Sequence, residues 1–290
     1  MAEVDVRVLR DQHRQALTAF LEHRPDSHLF LRANLAKGRL EDEGKRFDGT
    51  WVGTVRDDGT VTSTAALFWN GVCLLQTPAH IDEILDMLAA ASPREPIELC
   101  GPTDQVERAM HHGLVRDRPL RSRYDATVMR LSLSRLAVPA ALEARSVDCR
   151  PPMGEELSLL GEWHAAFNDE VFADARSPES DLRARQWIRA IHDERRDIVA
   201  TVEDKPVSYC AITGSLDDEI NIGAVYTPPE LRGRGYAQCA VAGIVRDAAR
   251  DGVTRACLTA IKDNPASLRT YTALGFQPAH DWTITRFFPS

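Results

Sequence analysis

The sequence predicts an α/β (α+β) fold divided into two successive domains. Its 290 residues exceed the commonest domain size. Segments with helical apolar spacing and strand-like segments succeed one another along the chain. The same order of elements also occurs twice: Val61 corresponds to Val207 at an offset of 146 residues, and Asn70 to Asp217 at 147. Two domains of similar architecture are therefore expected. Two unrelated α/β domains whose element order agrees by chance are the alternative.

The first half begins with two predicted amphipathic helices between Val6 and Leu40, separated at Pro25-Asp26-Ser27. A meander of three strands follows, because Asp57-Asp58-Gly59 and Asn70-Gly71 are hairpin signals. The strands are predicted over residues 50–55, 61–68 and 72–76. The remaining elements of this half are a helix over 81–90, a strand over 97–100, a helix from 101 to 113 and a strand over 127–133. The boundary between the halves is expected within residues 135–150.

The second half repeats this order with a longer connection. Its predicted elements are helices over 155–167 and 181–192, strands over 198–202, 207–214 and 220–225, and then a helix, a strand, a helix and a strand. Gly113 corresponds to Gly275 at an offset of 162 residues, so the second half has about fifteen additional residues before this landmark. The first half has no glycine-rich turn in this interval, since Thr77-Pro78 leads directly into a helix.

The additional interval contains the segment Thr227-Pro228-Pro229-Glu230-Leu231-Arg232-Gly233-Arg234-Gly235-Tyr236-Ala237. The two prolines end the preceding strand, and a helical pattern begins after the turn. Gly233 and Gly235 allow the backbone to approach a ligand closely. The first N–H groups of the helix and the helix dipole then favour an anion, and a phosphate group is the predicted ligand. An ordinary strand-to-helix connection with surface arginines is the alternative.

Three motifs carry a resemblance to a known family. They are Arg232-Gly233-Arg234-Gly235-Tyr236-Ala237, Asn264-Pro265-Ala266-Ser267 with Tyr271, and Leu274-Gly275-Phe276. Residues 219–277 resemble the GNAT superfamily of acyl-CoA-dependent N-acetyltransferases, whose Arg/Gln-x-x-Gly-x-Gly/Ala turn holds the pyrophosphate of coenzyme A. The resemblance implies two tandem GNAT-like domains, each a mixed, mainly antiparallel sheet flanked by helices. It implies a degenerate domain over 1–137 and a catalytic domain over 145–290.

The resemblance also implies roles for individual residues. Tyr271 is expected to protonate the departing sulfur of coenzyme A, and Glu219 to accept the amine proton, often through water. The backbone amides near residues 225–227 are expected to pair with the pantetheine arm and to stabilise the oxyanion. The expected cofactor-binding residues are Val225, Tyr226, Thr227, Arg232, Gly233, Arg234, Gly235, Tyr236, Ala237, Asn264 and Tyr271.

Each of these side chains has an alternative structural role. Tyr271 is also explained as a packing tyrosine beside Phe276, and Asn264 as the N-cap of a helix that Pro265 begins. Glu219 is also explained as part of a solvated hairpin loop. Four residues of the first helix in the second half fit a packed amphipathic helix as well as an acceptor pocket: Trp163, His164, Phe167 and Glu170.

Composition excludes several classes of function. The net charge of −8 disfavours binding to nucleic acid or to an anionic membrane, and it is compatible with attraction of a cationic amine. No apolar run approaches membrane-spanning length. The six cysteines are widely spaced and lack the spacing of a metal site, so no metal is expected. The N-terminal residues lack the features of a secretory signal, which predicts a cytoplasmic protein.

The sequence therefore predicts an acyl-CoA-dependent N-acetyltransferase. The acetyl group is expected to pass directly from acetyl-CoA to a primary amine within a ternary complex. The acceptor is a small-molecule or peptide amine, and neither nucleic acid nor a membrane is an expected partner. The alternative is a non-catalytic acyl-CoA-binding or sensing module, because the base is the least firmly assigned catalytic group.

Overall fold

The computed structural model describes residues 4–24 and 29–288 and divides the chain into two compact units. Unit 1 contains the described residues up to Val128, residues 261–263 and the described residues from Ala279 onward. Unit 2 contains residues 129–260 and 264–278. The helix break predicted at Pro25-Asp26-Ser27 lies outside the described residues. The domain limits 1–137 and 145–290, which follow the sequence repeat, stay a prediction.

The first half of the chain alternates helices and strands in the predicted order. One strand is added at the start, where the sequence analysis assigned only helices; that assignment was wrong, because the alternating apolar and charged residues from Val4 to Val8 form an edge strand. The elements are β1 Val4–Val8, α1 Arg14–Glu22, α2 Leu29–Lys37, β2 Gly49–Arg56, β3 Val61–Phe68, β4 Val72–Gln76, α3 Ile81–Ala91, β5 Glu98–Pro102, α4 Thr103–Ala109 and β6 Leu120–Ser132.

The second half has the predicted elements and two short additional ones. The segment expected as a boundary, residues 135–150, also contains a one-turn helix and a three-residue strand, both too short to give a periodic pattern. The elements are α5 Ala140–Glu143, β7 Asp148–Arg150, α6 Leu157–Phe172, α7 Pro178–Asp193, β8 Asp197–Val202, β9 Lys205–Ser215, β10 Glu219–Tyr226, α8 Tyr236–Arg250, β11 Arg255–Ile261, α9 Pro265–Ala273 and β12 Gln277–Phe287.

Unit 1 is built on a mixed, mainly antiparallel sheet. Its strands lie in the order β1, β2, β3, β4, β5 and β12, and β12 pairs with β5 through residues 282–286. Among these strands β4 and β5 run parallel, from Val72 beside Glu98 to Leu74 beside Cys100. Helix α3 packs on this sheet, with Ile84 and Leu88 fully buried in the core of the unit.

Unit 2 repeats this arrangement. Its strands β7, β8, β9 and β10 are successively antiparallel, and β10 runs parallel to β11. The expectation of a mixed, mainly antiparallel sheet flanked by helices is therefore confirmed in both units. In each unit, the last strand of a meander pairs in parallel with the strand that follows the next long helix.

Both faces of the unit 2 sheet are covered. Ile220 and Ile222 of β10 point to one face and share a core with the apolar side of α8. Tyr209 of β9 lies on the other face and packs with Leu160 of α6 and Ile188 of α7. Since α8 follows β10 and α9 follows β11, both helices begin near the C-terminal ends of the two parallel strands. That end of the sheet carries most of the residues with predicted functions.

Candidate active site

The two parallel strands of unit 2 are paired over only part of their length. Residues 219–221 of β10 pair with residues 255–257 of β11. Beyond this pairing β10 continues to Tyr226, with β9 as its neighbour on the opposite side. The C-terminal part of β10 therefore presents an edge on the side of β11. Such an edge can take up an extended ligand through its main-chain groups.

A β-bulge distorts β10 within this part. The pairing with β9 passes from Gly223 beside Ala211 to Tyr226 beside Tyr209, so three steps on β10 match two on β9. Ala224 has a φ of 50°, in the left-handed region that side chains other than glycine seldom adopt. Bulges redirect the backbone and are common beside active sites. The bulge turns the last residues of β10 away from regular sheet geometry where the predicted residues 225–227 begin.

The glycine-rich turn has the conformation that an anion site needs. Gly233 and Gly235 have φ values of 76° and 79°, and Gly235 is the N-cap of α8 without a side-chain cap. A Cβ built on Gly233 meets nothing within 4 Å, so the turn borders open space. The N–H groups of the first turn of α8, from Tyr236 onward, have no acceptors within the helix. These observations fit a phosphate group at the start of α8.

Tyr271 of α9 lies in the core of unit 2 that β10 and α8 share. Its side chain is 9% exposed and belongs to the same apolar cluster as Ile222 and Cys210, against which Val225 and Tyr236 also pack. Burial, with a smaller contribution from the nearby thiol of Cys210, raises the pKa of the Tyr271 hydroxyl. The phenol is therefore protonated at neutral pH. Three predicted residues, from β10, α8 and α9, meet in this cluster.

Tyr271 and Asn264 also fill the structural roles given as their alternatives. The Tyr271 ring packs edge-on against Phe276 at a centroid distance of 6.1 Å. Asn264 is the N-cap of α9, and its Oδ1 accepts a hydrogen bond from the Ser267 N–H at 3.1 Å. Pro265 occupies the first turn, as the sequence predicts. A cap of this kind leaves the Asn264 Nδ2 group for a ligand.

Arg232 is held by a neighbouring helix. Its Nη2 donates to Oε2 of Glu170 on α6 at 2.6 Å, and its Nε donates to the Thr227 carbonyl at 2.9 Å. The Tyr226 hydroxyl donates to the other Glu170 oxygen at 3.2 Å. Burial, followed by the Glu170 carboxylate, raises the pKa of the Tyr226 hydroxyl. Glu170 thus links the end of β10 to the signature arginine. The sequence analysis placed Glu170 on the first helix of the second half but did not predict its contact with the glycine-rich turn.

Glu219 lies at the other end of β10. It is 3% exposed, and its Oε2 is 3.4 Å from Nη2 of Arg255 on β11. Seven residue steps along the strand, about 23 Å when fully extended, separate it from Tyr226. The buried position differs from the solvated loop given as its alternative. Because of the strand geometry, its carboxylate does not lie beside residues 225–227.

The last two predicted residues lie on the exposed side of the turn. Arg234 is exposed, and its Nη2 is 3.5 Å from the Glu230 carbonyl. Ala237 is half-buried in the first turn of α8. The small side chain of Ala237 keeps the start of the helix accessible, and Arg234 adds positive charge next to it.

Comparison with known proteins relates this unit to a family. Residues 159–276 match the model of the Acetyltransferase (GNAT) family. This part of the chain is therefore similar to a GNAT domain. The match covers the strands β8 to β11, the glycine-rich turn and Tyr271. A search of curated protein sequences gave no significant match.

Solved structures extend the GNAT fold to nearly the whole chain. A tandem GNAT protein from the clavulanic acid biosynthesis pathway has a TM-score of 0.57 at 14% identity, covering 99% of this chain and 100% of that one. A GCN5-related N-acetyltransferase from Sphaerobacter thermophilus has a TM-score of 0.58 at 16% identity, covering 98% and 95%. A Drosophila protein has a TM-score of 0.69 at 14% identity, covering 98% of both chains. The expected tandem arrangement is therefore confirmed at the level of fold.

In the described part of unit 1, the strand end that corresponds to the bulge of β10 is filled by side chains. Thr77 follows β4 at the position that Ala224 occupies in β10, five residues after the start of the parallel pair. There the backbone N–H of Thr77 donates to Oε1 of the buried Gln105 side chain on α4 at 2.6 Å, and Arg108 donates to the Thr77 carbonyl at 3.3 Å. Side chains of α4 thus occupy the strand end that is open in unit 2.

The described residues were also compared with the requirements of a metal site and of a membrane-spanning helix. Within residues 4–24 and 29–288, no group of three His, Cys, Asp or Glu side chains is placed to hold a metal ion. No helix in this part of the chain combines the length and the apolar character needed to cross a membrane. Burial raises the pKa of the Cys73 and Cys149 thiols to about 12, which leaves them as unreactive thiols at neutral pH.

Proposed function

We propose that the chain is an N-acetyltransferase that transfers the acetyl group of acetyl-CoA to a primary amine within a ternary complex. The observation that carries the proposal is the partly paired strand β10, which leads through the Gly233–Gly235 turn into α8, with Tyr271 in the apolar cluster against which Val225 packs. The match of residues 159–276 to the GNAT family supports acetyl transfer as the reaction class. The acceptor is a small-molecule or peptide amine.

Acetyl-CoA fits this region as a co-substrate. The turn from Arg232 to Ala237 would hold the pyrophosphate through the first N–H groups of α8, and the open space above Gly233 gives it access. The main chain of Val225, Tyr226 and Thr227 would pair with the pantetheine arm along the free edge of β10. The Asn264 side chain, which caps α9, would add a contact to the cofactor.

Direct transfer requires two contributions from the chain and one from solvent. The amine nitrogen forms a bond to the thioester carbonyl carbon, and backbone N–H groups near the bulge would stabilise the oxyanion that develops. When the carbon–sulfur bond breaks, Tyr271 would give its proton to the thiolate. The proton lost by the amine would pass to water, because Glu219, the base expected from the sequence, lies at the far end of β10 and is paired with Arg255. The products are an amide and coenzyme A.

Thiol release from acetyl-CoA in the presence of a panel of diverse amines tests the proposal. Turnover with any acceptor, dependent on Tyr271, is the expected result. Tight acetyl-CoA binding without turnover of any amine would instead favour a non-catalytic acyl-CoA sensor. The ion pair between Glu219, the base expected from the sequence, and Arg255 is the observation that favours this second function.

A further inference from the structure

A buried serine lies beside the end of β10. Ser208 of β9 is fully buried and stands two residues before Cys210, so both lie on the face of the sheet that α8 covers. The Ser208 hydroxyl donates a hydrogen bond to the Tyr226 carbonyl at 3.0 Å, and its oxygen is 2.9 Å from Oγ1 of Thr227. A serine hydroxyl has a single proton, so the Thr227 hydroxyl is the donor in the second contact. The two hydroxyls form a chain that ends at the main chain of β10.

The direction of the Tyr226 carbonyl decides the direction of the next N–H group. Tyr226 lies opposite Tyr209 in the pairing of β10 with β9, and its carbonyl accepts from Ser208 of the same strand. This carbonyl therefore points towards β9. In a planar trans peptide the N–H group points away from the carbonyl of the same peptide unit. The Thr227 N–H thus points to the side of β11, along the edge of β10 beyond the pairing of residues 219–221.

This N–H group is the last main-chain donor of that edge before the turn. Pro228 and Pro229 follow Thr227 and have no N–H group. Among the described residues, none accepts a hydrogen bond from the Thr227 N–H. The Thr227 carbonyl, in contrast, already accepts from Nε of Arg232 at 2.9 Å. The N–H group therefore stays available for an acceptor on a ligand.

We propose that Ser208 is a positioning residue for the acyl-CoA donor. Its hydroxyl holds the peptide unit between Tyr226 and Thr227 so that the Thr227 N–H donates to an amide carbonyl of the pantetheine arm. The arm contains amide groups, and an amide carbonyl oxygen is a good acceptor for a backbone N–H. This inference rests on the proposed binding of acetyl-CoA. It adds a residue that touches neither the donor nor the amine and acts through the main chain of β10.

Titration with acetyl-CoA and with the nucleotide part of coenzyme A gives the first test. Adenosine 3′-phosphate 5′-diphosphate contains the pyrophosphate but not the pantetheine arm. We expect Ser208→Ala to weaken binding of acetyl-CoA by about tenfold and to change the affinity for the nucleotide by less than about twofold. Equal losses for the two ligands would show a general disturbance of the turn, and an unchanged affinity for acetyl-CoA would show that Ser208 has no part in donor binding. Either outcome would overturn the inference.

A variant in unit 1 separates positioning from stability. Thr64 of β3 is also fully buried, and its Oγ1 donates to the Val52 carbonyl of β2 at 2.9 Å. Thr64→Val removes this hydroxyl as Ser208→Ala removes the other. Both variants should lower the midpoint of urea unfolding, because each leaves a strand carbonyl without its hydroxyl partner. Only Ser208→Ala should weaken acetyl-CoA binding, and an equal loss in Thr64→Val would contradict a positioning role.

Hydrogen exchange of the Thr227 amide tests the contact in the wild type itself. In protein containing ¹⁵N-labelled threonine, exchange of this amide should slow by about tenfold or more when acetyl-CoA saturates the wild type, and by less in Ser208→Ala. Unchanged exchange in the saturated wild type would refute the contact. Absence of acetyl-CoA binding would refute the proposed transfer together with this inference. Binding and turnover that Ser208→Ala leaves unchanged would refute only the positioning role.

Discussion

Tyr271 is the residue on which the proposed chemistry depends most. Its pKa is raised by burial, so the phenol keeps its proton well into the alkaline range. We expect Tyr271→Phe to lower kcat for thiol release by about 100-fold or more, as loss of a general acid does. The affinity for acetyl-CoA, measured by calorimetry, should stay within about twofold. An unchanged kcat would remove Tyr271 from the role of acid and leave its packing against Phe276 as its function.

His164 gives a second prediction about a single residue, through its effect on the free energy of unfolding. Its pKa is lowered by burial to about 4 in the folded protein, against 6.5 for an ordinary histidine. Between pH 6.5 and 4 the unfolded chain binds a proton that the folded chain does not, so this group makes the free energy of unfolding fall as pH falls.

The variant His164→Phe keeps an aromatic ring at this position but cannot titrate. Its free energy of unfolding, measured by urea denaturation, should fall less than that of the wild type between pH 6.5 and 4, by up to about 3 kcal/mol. Parallel curves for the two proteins would show that the imidazole is not buried as the structure has it.

The sequence could identify these residues only in part. Tyr271 and Asn264 follow from motif spacing, and Gly233 and Gly235 from the turn. The partners of Arg232 and Glu219 could not be read in the same way. Glu170 is 62 residues from Arg232 in the chain, and the packing of α6 brings the two together. Arg255 reaches Glu219 because β10 and β11 are parallel neighbours. Both pairings depend on tertiary contacts that local patterns do not encode.

The turn before α8 is the element whose backbone is most specialised. We expect Gly235→Ala to cost about 1–2 kcal/mol in stability, because alanine is strained at a φ of 79°. It should also weaken acetyl-CoA binding by about tenfold, since a side chain would narrow the approach to the N–H groups. Gly59→Ala is the matched control: this hairpin glycine in unit 1 has a φ of 82°, and a Cβ built on it meets nothing within 4 Å. Equal acetyl-CoA affinities for the two variants would argue against phosphate binding at this turn.

The ion pair between Glu170 of α6 and Arg232 of the turn gives a prediction in the opposite direction, namely tighter binding of acetyl-CoA when the pair is removed. Glu170 competes for the Arg232 guanidinium that a pyrophosphate would use. We expect Glu170→Gln to strengthen acetyl-CoA binding by about two- to fivefold, in keeping with the small free energy of exposed ion pairs. Glu230→Gln removes a charge beside the same turn without releasing Arg232. If both variants tighten binding equally, the effect is one of general charge and not of competition.

Elements with strong local signals were predicted well, and those without them were not. The hairpins β2–β3 and β3–β4 follow from Gly59 and Gly71, both with positive φ. The strand β7 pairs with β8 through only three residues and has no pattern of its own. The partial pairing of β10 with β11 and the bulge at Ala224 are also invisible in the sequence, because they arise from how neighbouring strands fit together.

The described residues form two units with a GNAT-like fold, and the proposed donor site lies in unit 2. In unit 1, Gln105 and Arg108 bind the main chain of Thr77, and no glycine-rich turn precedes α3. The repeated order of elements could be read from the sequence. The blocked strand end could not, since the contact between Thr77 and Gln105 joins residues 28 positions apart.

Calorimetric titration of the full-length protein with acetyl-CoA tests the central claim most directly. We expect one molecule of acetyl-CoA to bind per chain, with the affinity lowered by Gly235→Ala in unit 2 and unchanged by Gln105→Ala in unit 1. Absence of binding, or binding that Gly235→Ala does not weaken, would contradict a donor site at the turn between β10 and α8.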